Sequence, residues 1–342
     1  MKSMAGLLLV GVLAVSLPGP ARAQTVGDVF RKVYESVVVI RAKGQEVSPR
    51  TGAISTFTET GSGVLISADG KVMTAAHVVH AMSDITVEFP TGGAVKARVI
   101  ASEPGADLSL MQLEQVPPGA KVARMANSDS MRIGDQVIVV GAPYGLSHSL
   151  TVGHISARYA PNTVYRAFPL AEFFQTDAPI NTGNSGGPMF NMAGEVIGIV
   201  SHIISKSGGS EGLGFVVTIN NARQLLLERR AIWTGLEFYL LTERQAAVLN
   251  LPQPGGMLIK AVAKDSPADQ AGLAAGVVPA VIDGQEMVLG GDIILAVAGI
   301  PITDAGSAAK VRQHLASLPP NAPFKIRVLR LGKIIELTAK LP

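Results

Sequence analysis

Between residues 37 and 219 the chain consists of short β-rich runs, each closed by glycine, proline, asparagine or aspartate. Val37-Val38-Val39-Ile40, Gly63-Val64-Leu65-Ile66, Ile85-Thr86-Val87-Glu88-Phe89, Gln136-Val137-Ile138-Val139-Val140 and Glu195-Val196-Ile197-Gly198-Ile199-Val200 are examples. Many short strands separated by turn residues predict an all-β sandwich or barrel and exclude a βαβ fold. Ahead of them, residues 26–36 set Val26, Val29, Phe30, Val33 and Tyr34 on one face at helical spacing and read as a lead-in helix.

The pattern changes at residues 220–230. Asn220 or Asn221 is placed to cap a helix through Leu225, Leu226 and Leu227, ending in Arg229-Arg230 where cations suit the helix dipole. Beyond it, residues 238–241, 257–262 and 292–297 read as extended and residues 243–250 as helical. A helix capped at Asp304 runs to Leu315 and is followed by a hairpin turning at Leu331-Gly332. This is the pattern of a separate small α+β module, and the boundary is expected near Arg230. Residues 275–289 are longer than an ordinary turn, and no role for them follows from the sequence.

With 342 residues, 47% of them hydrophobic, the chain is neither disordered nor fibrous, and the length accommodates two folded units. The formal charge of +3 includes Lys2 and Arg22, so nothing calls for nucleic acid as a partner. The absence of cysteine excludes disulfides, thiolate metal sites and a cysteine nucleophile, and neither a metal nor a cofactor is expected. At the start, Met1-Lys2, an apolar run over residues 5–17, Pro18 and Pro20, then Ala21-Arg22-Ala23 have the layout of a secretory signal peptide cut after Ala23. The apolar run is shorter than the ~20 residues of a spanning helix. Residues 1–23 are therefore expected to be a leader, residues 24–230 a β domain and residues 231–342 the α+β module. The protein is expected in the periplasm or outside the cell, with no stable membrane span.

Three stretches carry chemistry: Thr74-Ala75-Ala76-His77-Val78-Val79, Ala106-Asp107-Leu108-Ser109-Leu110 and Gly183-Asn184-Ser185-Gly186-Gly187-Pro188. In the last, glycines on both sides allow a tight turn that projects a serine hydroxyl and brings N–H groups toward one point. A hydroxyl is a poor nucleophile at neutral pH unless a base lies within hydrogen-bond reach, and the base needs a partner that fixes its tautomer. The order His77, Asp107, Ser185 on an all-β chain is the one used by double β-barrel serine proteases. His80, His148, His154, His202 and His314 lack a comparable strand-end setting and are expected to be structural or on the surface. Asp84 and Asp129 sit in turn-like surroundings, and Asp177 is expected to make a structural hydrogen bond.

Through these motifs, and through Phe174-Gln175-Thr176-Asp177-Ala178, Gly61-Ser62-Gly63-Val64-Leu65-Ile66 and Gly212-Leu213-Gly214-Phe215-Val216-Val217, the chain resembles the HtrA/Deg serine proteases from about Val26 to its end. The resemblance implies a mainly β chain: a chymotrypsin-like double β-barrel protease domain followed by a small α+β PDZ domain. It implies His77 as general base, Asp107 as its orienting acid and Ser185 as nucleophile. The N–H groups of Gly183 and Ser185, with Asn184 between them, would form the oxyanion hole. Thr182 stands where the family often has proline and Pro179 where it often has alanine, both in a loop that the family uses as a switch. Pro179 would floor the specificity pocket beside Ile180, with Ile203 on its wall, so small aliphatic side chains are the expected preference. In the PDZ-like part, Trp233-Thr234-Gly235-Leu236 corresponds to the carboxylate-binding loop, and residues 238–241 to the strand that a peptide extends; Trp233 would alternatively be a buried aromatic at the domain junction. The implied activity is ATP-independent cleavage of misfolded or signalling envelope proteins, with C-terminal peptides bound at the PDZ groove. The alternatives are a holdase and a PDZ adaptor. A homotrimer is also implied, for which Phe30, Tyr34, Phe173 and Phe174 offer aromatics unless they complete the monomer's own core.

Overall fold

The computed structural model describes residues 24–48, 51–142, 148–164, 167–229 and 231–341; the expected leader lies outside them. Helix α1 (Val26–Val33) starts at a capping box in which the Thr25 hydroxyl accepts from the Asp28 N–H and the Asp28 carboxylate accepts in return. It buries Val29 and Val33, and a single 3₁₀ turn, Tyr34–Ser36, leads into the first strand.

Twelve strands then form two closed antiparallel barrels of six. The first comprises β1 (Val37–Val47), β2 (Ile54–Leu65), β3 (Lys71–Thr74), β4 (Asp84–Glu88), β5 (Ala94–Glu103) and β6 (Leu108–Leu113), closing in the order β1-β2-β3-β6-β5-β4. The second comprises β7 (Gln136–Gly141), β8 (Ser149–Tyr159), β9 (Phe173–Thr176), β10 (Pro188–Asn191), β11 (Val196–Ile203) and β12 (Gly214–Thr218), in the order β10-β11-β12-β9-β8-β7. Closure leaves neither sheet with an unpaired edge. Ile40, Leu65, Val72 and Met111 pack inside the first barrel, and Val139, Ile155, Phe174 and Met189 inside the second. A third cluster, with Val37, Met73, Leu108, Ile138, Phe173 and Phe190, fills the seam between the barrels and takes in Val29 and Val33 of α1. This seam holds the two barrels together, so side chains at its rim have fixed positions.

The packing corrects two expectations. Phe173 and Phe174 are each 1% exposed, one in the seam and one inside the second barrel, so they are not free for contact with another subunit. Burying each stabilises the monomer by roughly 2–3 kcal/mol. The helix after β12 starts earlier than its asparagines suggest: α3 (Ile219–Arg223) follows Thr218 and continues into a widened turn, in which the Arg229 N–H reaches the Gln224 carbonyl at 3.0 Å. Neither asparagine caps it. The side-chain oxygen of Asn221 accepts from the Glu172 N–H at 3.0 Å, and that of Asn220 from the Ser128 N–H at 3.4 Å.

The remaining chain folds as α+β: β13 (Leu236–Leu241), α4 (Glu243–Val248), β14 (Gly256–Val262), α5 (Pro267–Gln270), β15 (Val278–Ile282), β16 (Gln285–Leu289), β17 (Ile293–Val297), β18 (Ile300–Pro301), α6 (Ala305–Ser317), β19 (Pro323–Arg330) and β20 (Lys333–Lys340). The main sheet runs β13-β14-β17-β19-β20, so β13 lies at an edge. Capping boxes at Thr242 and Asp304 start α4 and α6. Residues 275–289, too long for a turn, contain the separate β15–β16 hairpin, which reverses through Asp283 (φ 55°) and Gly284 (φ 76°) as a tight two-residue hairpin turn requires.

Among the described residues no helix is long and apolar enough to cross a membrane.

Candidate active site

The site lies where the seam opens. The β3 strand delivers the chain into α2 (Ala76–Val79), a single turn whose Ala76, Val78 and Val79 are buried while the His77 side chain stays 43% exposed. Apolar neighbours on both sides thus fix the helix and leave its one polar residue in the cleft. Asp107 sits at the mouth of β6 in the left-handed region (φ 55°), a conformation that an aspartate tolerates better than most residues. Its side chain is 1% exposed.

Burial of that carboxylate is balanced by four donor contacts. His77 Nδ1 lies 2.9 Å from Oδ1 and 3.0 Å from Oδ2, the His77 backbone N–H donates to Oδ1 at 3.1 Å, and the Ser201 hydroxyl donates to Oδ2 at 2.5 Å. An ionised carboxylate only accepts, so Nδ1 carries the ring proton and Nε2 is left as the basic nitrogen facing the cleft. Burial opposes protonation of the ring, but the hydrogen bond and charge of Asp107, with a smaller pull from Glu59, outweigh it and raise the pKa above its ordinary 6.5.

Ser185 sits on the turn between β9 and β10. Gly183 (φ 98°) and Gly186 (φ 80°) take conformations closed to most side chains, and a Cβ on Gly186 would lie 2.1 Å from the Thr74 hydroxyl. The turn is fastened to the first barrel: the Ser62 N–H donates to the Ser185 carbonyl at 2.8 Å, and the Ser62 hydroxyl donates to the Gly183 carbonyl at 2.7 Å while accepting from the Ala142 N–H at 2.9 Å. Asn184 gives its N–H to the Asn181 carbonyl and its own carbonyl to the Gly187 N–H. These bonds fix the planes of the peptides on both sides of Asn184, and so aim the Ser185 N–H away from the Gly187 contact. The Ser185 hydroxyl is 3.4 Å from the Ser201 carbonyl, and among the described residues it makes no hydrogen bond to His77.

The neighbouring positions divide. Ile180 is buried in the second barrel's core, and Ile203 packs half-buried against the same cluster. Pro179, the expected pocket floor, is exposed between the buried Ala178 and Ile180 in the loop after β9. Asp177 makes the structural bond expected of it, accepting from the His154 N–H at 2.6 Å. Asp129 pairs with Arg158 at 2.5 Å, and Asp84 pairs with Lys96, both away from the cleft.

The sequence left three functional neighbours unmarked. Ser62 and Ser201 are hydroxyls within strands, a position with no signature of its own. Ser201 reaches Asp107 because the β11–β12 register shifts between Val200 and His202, a bulge visible only in the pairing. His202, expected to be structural or on the surface, lies beside the same network, with Nδ1 3.1 Å from the Ser201 hydroxyl.

At the far end, Trp233 packs against the first barrel's core and donates Nε1–H to the His80 carbonyl at 2.8 Å, as an aromatic at a domain junction does. The His80 ring bridges the Ser102 hydroxyl (2.8 Å) and the Leu236 carbonyl (2.9 Å). Gly235 has φ 73°, and a Cβ there would lie 2.3 Å from Cβ of Ser266. Thr234 and Gly235 give their carbonyls to the N–H groups of Ala268 and Ala263.

Two barrels sharing a cleft lined by a histidine, a buried aspartate and a serine between glycines define a trypsin-like peptidase fold. Residues 61–199 match the family model of the trypsin-like peptidase domain. A probable periplasmic serine endoprotease DegP-like of Ectopseudomonas mendocina (strain ymp) is 34% identical over 275 residues, covering 76% of this chain and 56% of that protein. One from Brucella suis biovar 1 (strain 1330) is 34% identical over 305 residues, 87% of this chain and 55% of that protein. Among solved structures, the HtrA-type protease AlgW with decapeptide superposes with a TM-score of 0.54 at 27% identity, covering 93% of this chain and 98% of that one. The chain belongs to the HtrA/DegP family of serine proteases. It spans slightly more than half the length of these two DegP-like relatives, and the sheets after its barrels fit a PDZ domain.

Proposed function

We propose that the protein is an exported serine endopeptidase of the periplasm, cleaving unfolded or signalling proteins without ATP. The observation that carries this reading is the Asp107 carboxylate, buried and bonded to His77 Nδ1, in the cleft that also holds the glycine-flanked Ser185. In the reaction, Nε2 of His77 takes the Ser185 proton as Oγ attacks the peptide carbonyl. The oxygen of the tetrahedral intermediate is held by the N–H groups of Gly183 and Ser185, and His77 then passes its proton to the departing amine. Water, deprotonated by the same nitrogen, releases the acyl group. Asp107 stays ionised throughout and stabilises the imidazolium. Attack requires Oγ to turn from the Ser201 carbonyl toward Nε2, so the resting arrangement is one step short of reaction. The same contact favours a second reading, a chain that holds unfolded protein without cutting it.

Casein digestion separates the two. Cleavage blocked by a serine-directed phosphonate and absent in Ser185→Ala supports the peptidase; casein left whole by the wild type would overturn it. Mass spectrometry of the fragments reads the expected preference for small aliphatic residues near Ile180 and Ile203.

The C-terminal module is proposed to bind free C-termini as a PDZ domain, the peptide pairing with the β13 edge and its carboxylate lying at the N–H groups of residues 234–236. Residues 24–230 and 231–342 are proposed as the two domains. A homotrimer is proposed on the half-buried, stacked rings of Phe30 and Tyr34, 5.5 Å apart; a monomer in sedimentation at micromolar concentration would end that proposal.

A further inference from the structure

On the far side of Asp107 from His77 the hydrogen-bond network does not stop at Ser201. The Ser201 hydroxyl has one proton, and its 2.5 Å contact with the acceptor-only Oδ2 of Asp107 uses it. The 3.1 Å contact between Ser201 Oγ and His202 Nδ1 must therefore be donated by the histidine. The proton count sets the His202 tautomer, with hydrogen on Nδ1. The ring is also held in place: it stacks on Phe215 (centroids 5.0 Å apart, planes at 7°), meets Phe173 edge-on at 5.4 Å and touches Phe168 at 5.5 Å. This aromatic enclosure keeps the imidazole neutral, its pKa pushed down to about 4. Among the described residues, the charges that act on it are those of Asp107 and His77.

We propose that His202 is a positioning residue of the catalytic network, donating Nδ1–H to the Ser201 hydroxyl so that Ser201 in turn donates its proton to Asp107 and fixes the carboxylate against His77. The role rests on the serine-peptidase reading. A hydroxyl that accepts one hydrogen bond is a stronger donor of another. The chain from His202 through Ser201 therefore draws negative charge toward Oδ2, the oxygen away from the shorter His77 contact. Without the histidine N–H, Asp107 would be freer to move and its charge would act more fully on His77. The imidazolium of His77 would then be favoured, and the base would lose its proton at higher pH.

The test compares His202→Phe, which keeps a stacked ring and removes the donor, with His202→Asn, whose amide nitrogen is also attached to Cγ and restores an N–H there. In the Phe variant kcat on a peptide substrate is expected to fall about fivefold, the worth of one hydrogen bond, and the acid limb of kcat/KM to move to higher pH. The Asn variant is expected to recover the wild-type limb even though it loses the ring stack. An unmoved limb in the Phe variant, or equal defects in both, would reduce His202 to packing. Should either variant not fold, ¹⁵N spectra of the wild-type imidazoles decide: hydrogen on Nδ1 of His202 at neutral pH supports the inference, and hydrogen on Nε2 overturns it. A wild type that cleaves nothing would refute the peptidase reading instead, and the spectra distinguish that outcome.

Discussion

Two turns in this molecule are proposed to receive an anion, and each relies on glycine at positive φ: residues 183–187 in the barrel cleft and residues 233–236 at the start of the C-terminal module. They are held in different ways. The first is fastened from behind, its carbonyls taken by Ser62 and Gly187, so that the Ser185 N–H points away from the Gly187 contact. The second also has its Thr234 and Gly235 carbonyls taken, by Ala268 and Ala263, but it is fastened from the front as well, with Trp233 docked on the first barrel and the Leu236 carbonyl occupied by His80. A turn anchored through its carbonyls presents donors in advance, which is what a reaction with a developing oxyanion needs. A turn anchored through the edge a ligand would use has to be released first. His80 lies three residues beyond His77, at the end of the same helical turn, so the two turns meet on one short element.

The largest expected effect breaks the cleft side of this comparison. Ser185→Ala or His77→Ala should lower kcat by several powers of ten, about 10⁴ or more, with nearly equal losses because the two act as a unit. Folding should be unaffected, since Ser185 is held by backbone contacts that alanine keeps. Single-turnover assays on the pure variants check this, and substantial cleavage by either would refute the assignment.

Next in size is Ser62→Ala, which removes the hydroxyl joining the Ala142 N–H to the Gly183 carbonyl. Loss of a whole oxyanion donor lowers kcat ~10²–10³-fold, and loss of its anchor is expected to cost about tenfold to a hundredfold. Two buried groups are also left unpaired, so the melting temperature should fall with a loss of ~1–3 kcal/mol. Wild-type kcat would mean that the glycine turn holds its own shape.

The pH dependence sharpens the same side. The base works only when neutral, and Asp107 raises the His77 pKa, so activity should fall as pH drops through a value above the ordinary ~6.5, by up to tenfold per unit below it. The stability linkage has the opposite sign: the His77–Asp107 pair strengthens the fold fully below the unfolded value of ~6.5, and that contribution is lost as pH rises through the folded value. A kcat/KM profile limited near pH 4 would point to a carboxylate base.

What can be read from the sequence follows the same division. The barrels are legible because short β-rich runs and turn residues are local signals, His77 and Asp107 because each stands at the end or mouth of a strand, and Ser185 because glycines flank it. The supports are not. Ser62 and Ser201 are single hydroxyls in strands, and their partners at Gly183 and Asp107 lie about a hundred residues away in the chain. Ser201 also depends on a register shift that composition does not record. Phe173 and Phe174 mislead because an aromatic pair reads the same whether it faces a core or a partner. The role of Trp233 depends on where one domain rests on the other, which no local pattern encodes.

On the module side, Gly235→Ala should separate the two turns. The new Cβ would sit 2.3 Å from the fully buried Ser266 in a backbone region unfavourable to alanine, a loss of roughly 2 kcal/mol. The expected outcome is a module that melts earlier while small-peptide hydrolysis in the cleft is kept. Loss of both together would mean that the cleft depends on the docked module.

The smallest expected effect tests whether the docked turn competes with a ligand. Nε2 of His80 faces a carbonyl and must donate, so Nδ1 accepts the proton of Ser102. Burial keeps this ring neutral by lowering its pKa. His80→Phe retains the bulk of the ring and frees the Leu236 carbonyl at the cost of leaving the Ser102 hydroxyl to its contact with Ser109. Removing one competing hydrogen bond should tighten binding of a free C-terminal peptide about fivefold. Calorimetry on the full chain carrying Ser185→Ala, with and without His80→Phe, measures this, and an amidated copy of the peptide reports whether the carboxylate is what the turn holds. Tighter binding of the free acid alone would mean that the His80 contact holds the module's groove closed against ligand. Equal affinities in the two chains would mean that the groove opens elsewhere and that residues 233–236 serve only as the joint between barrel and module.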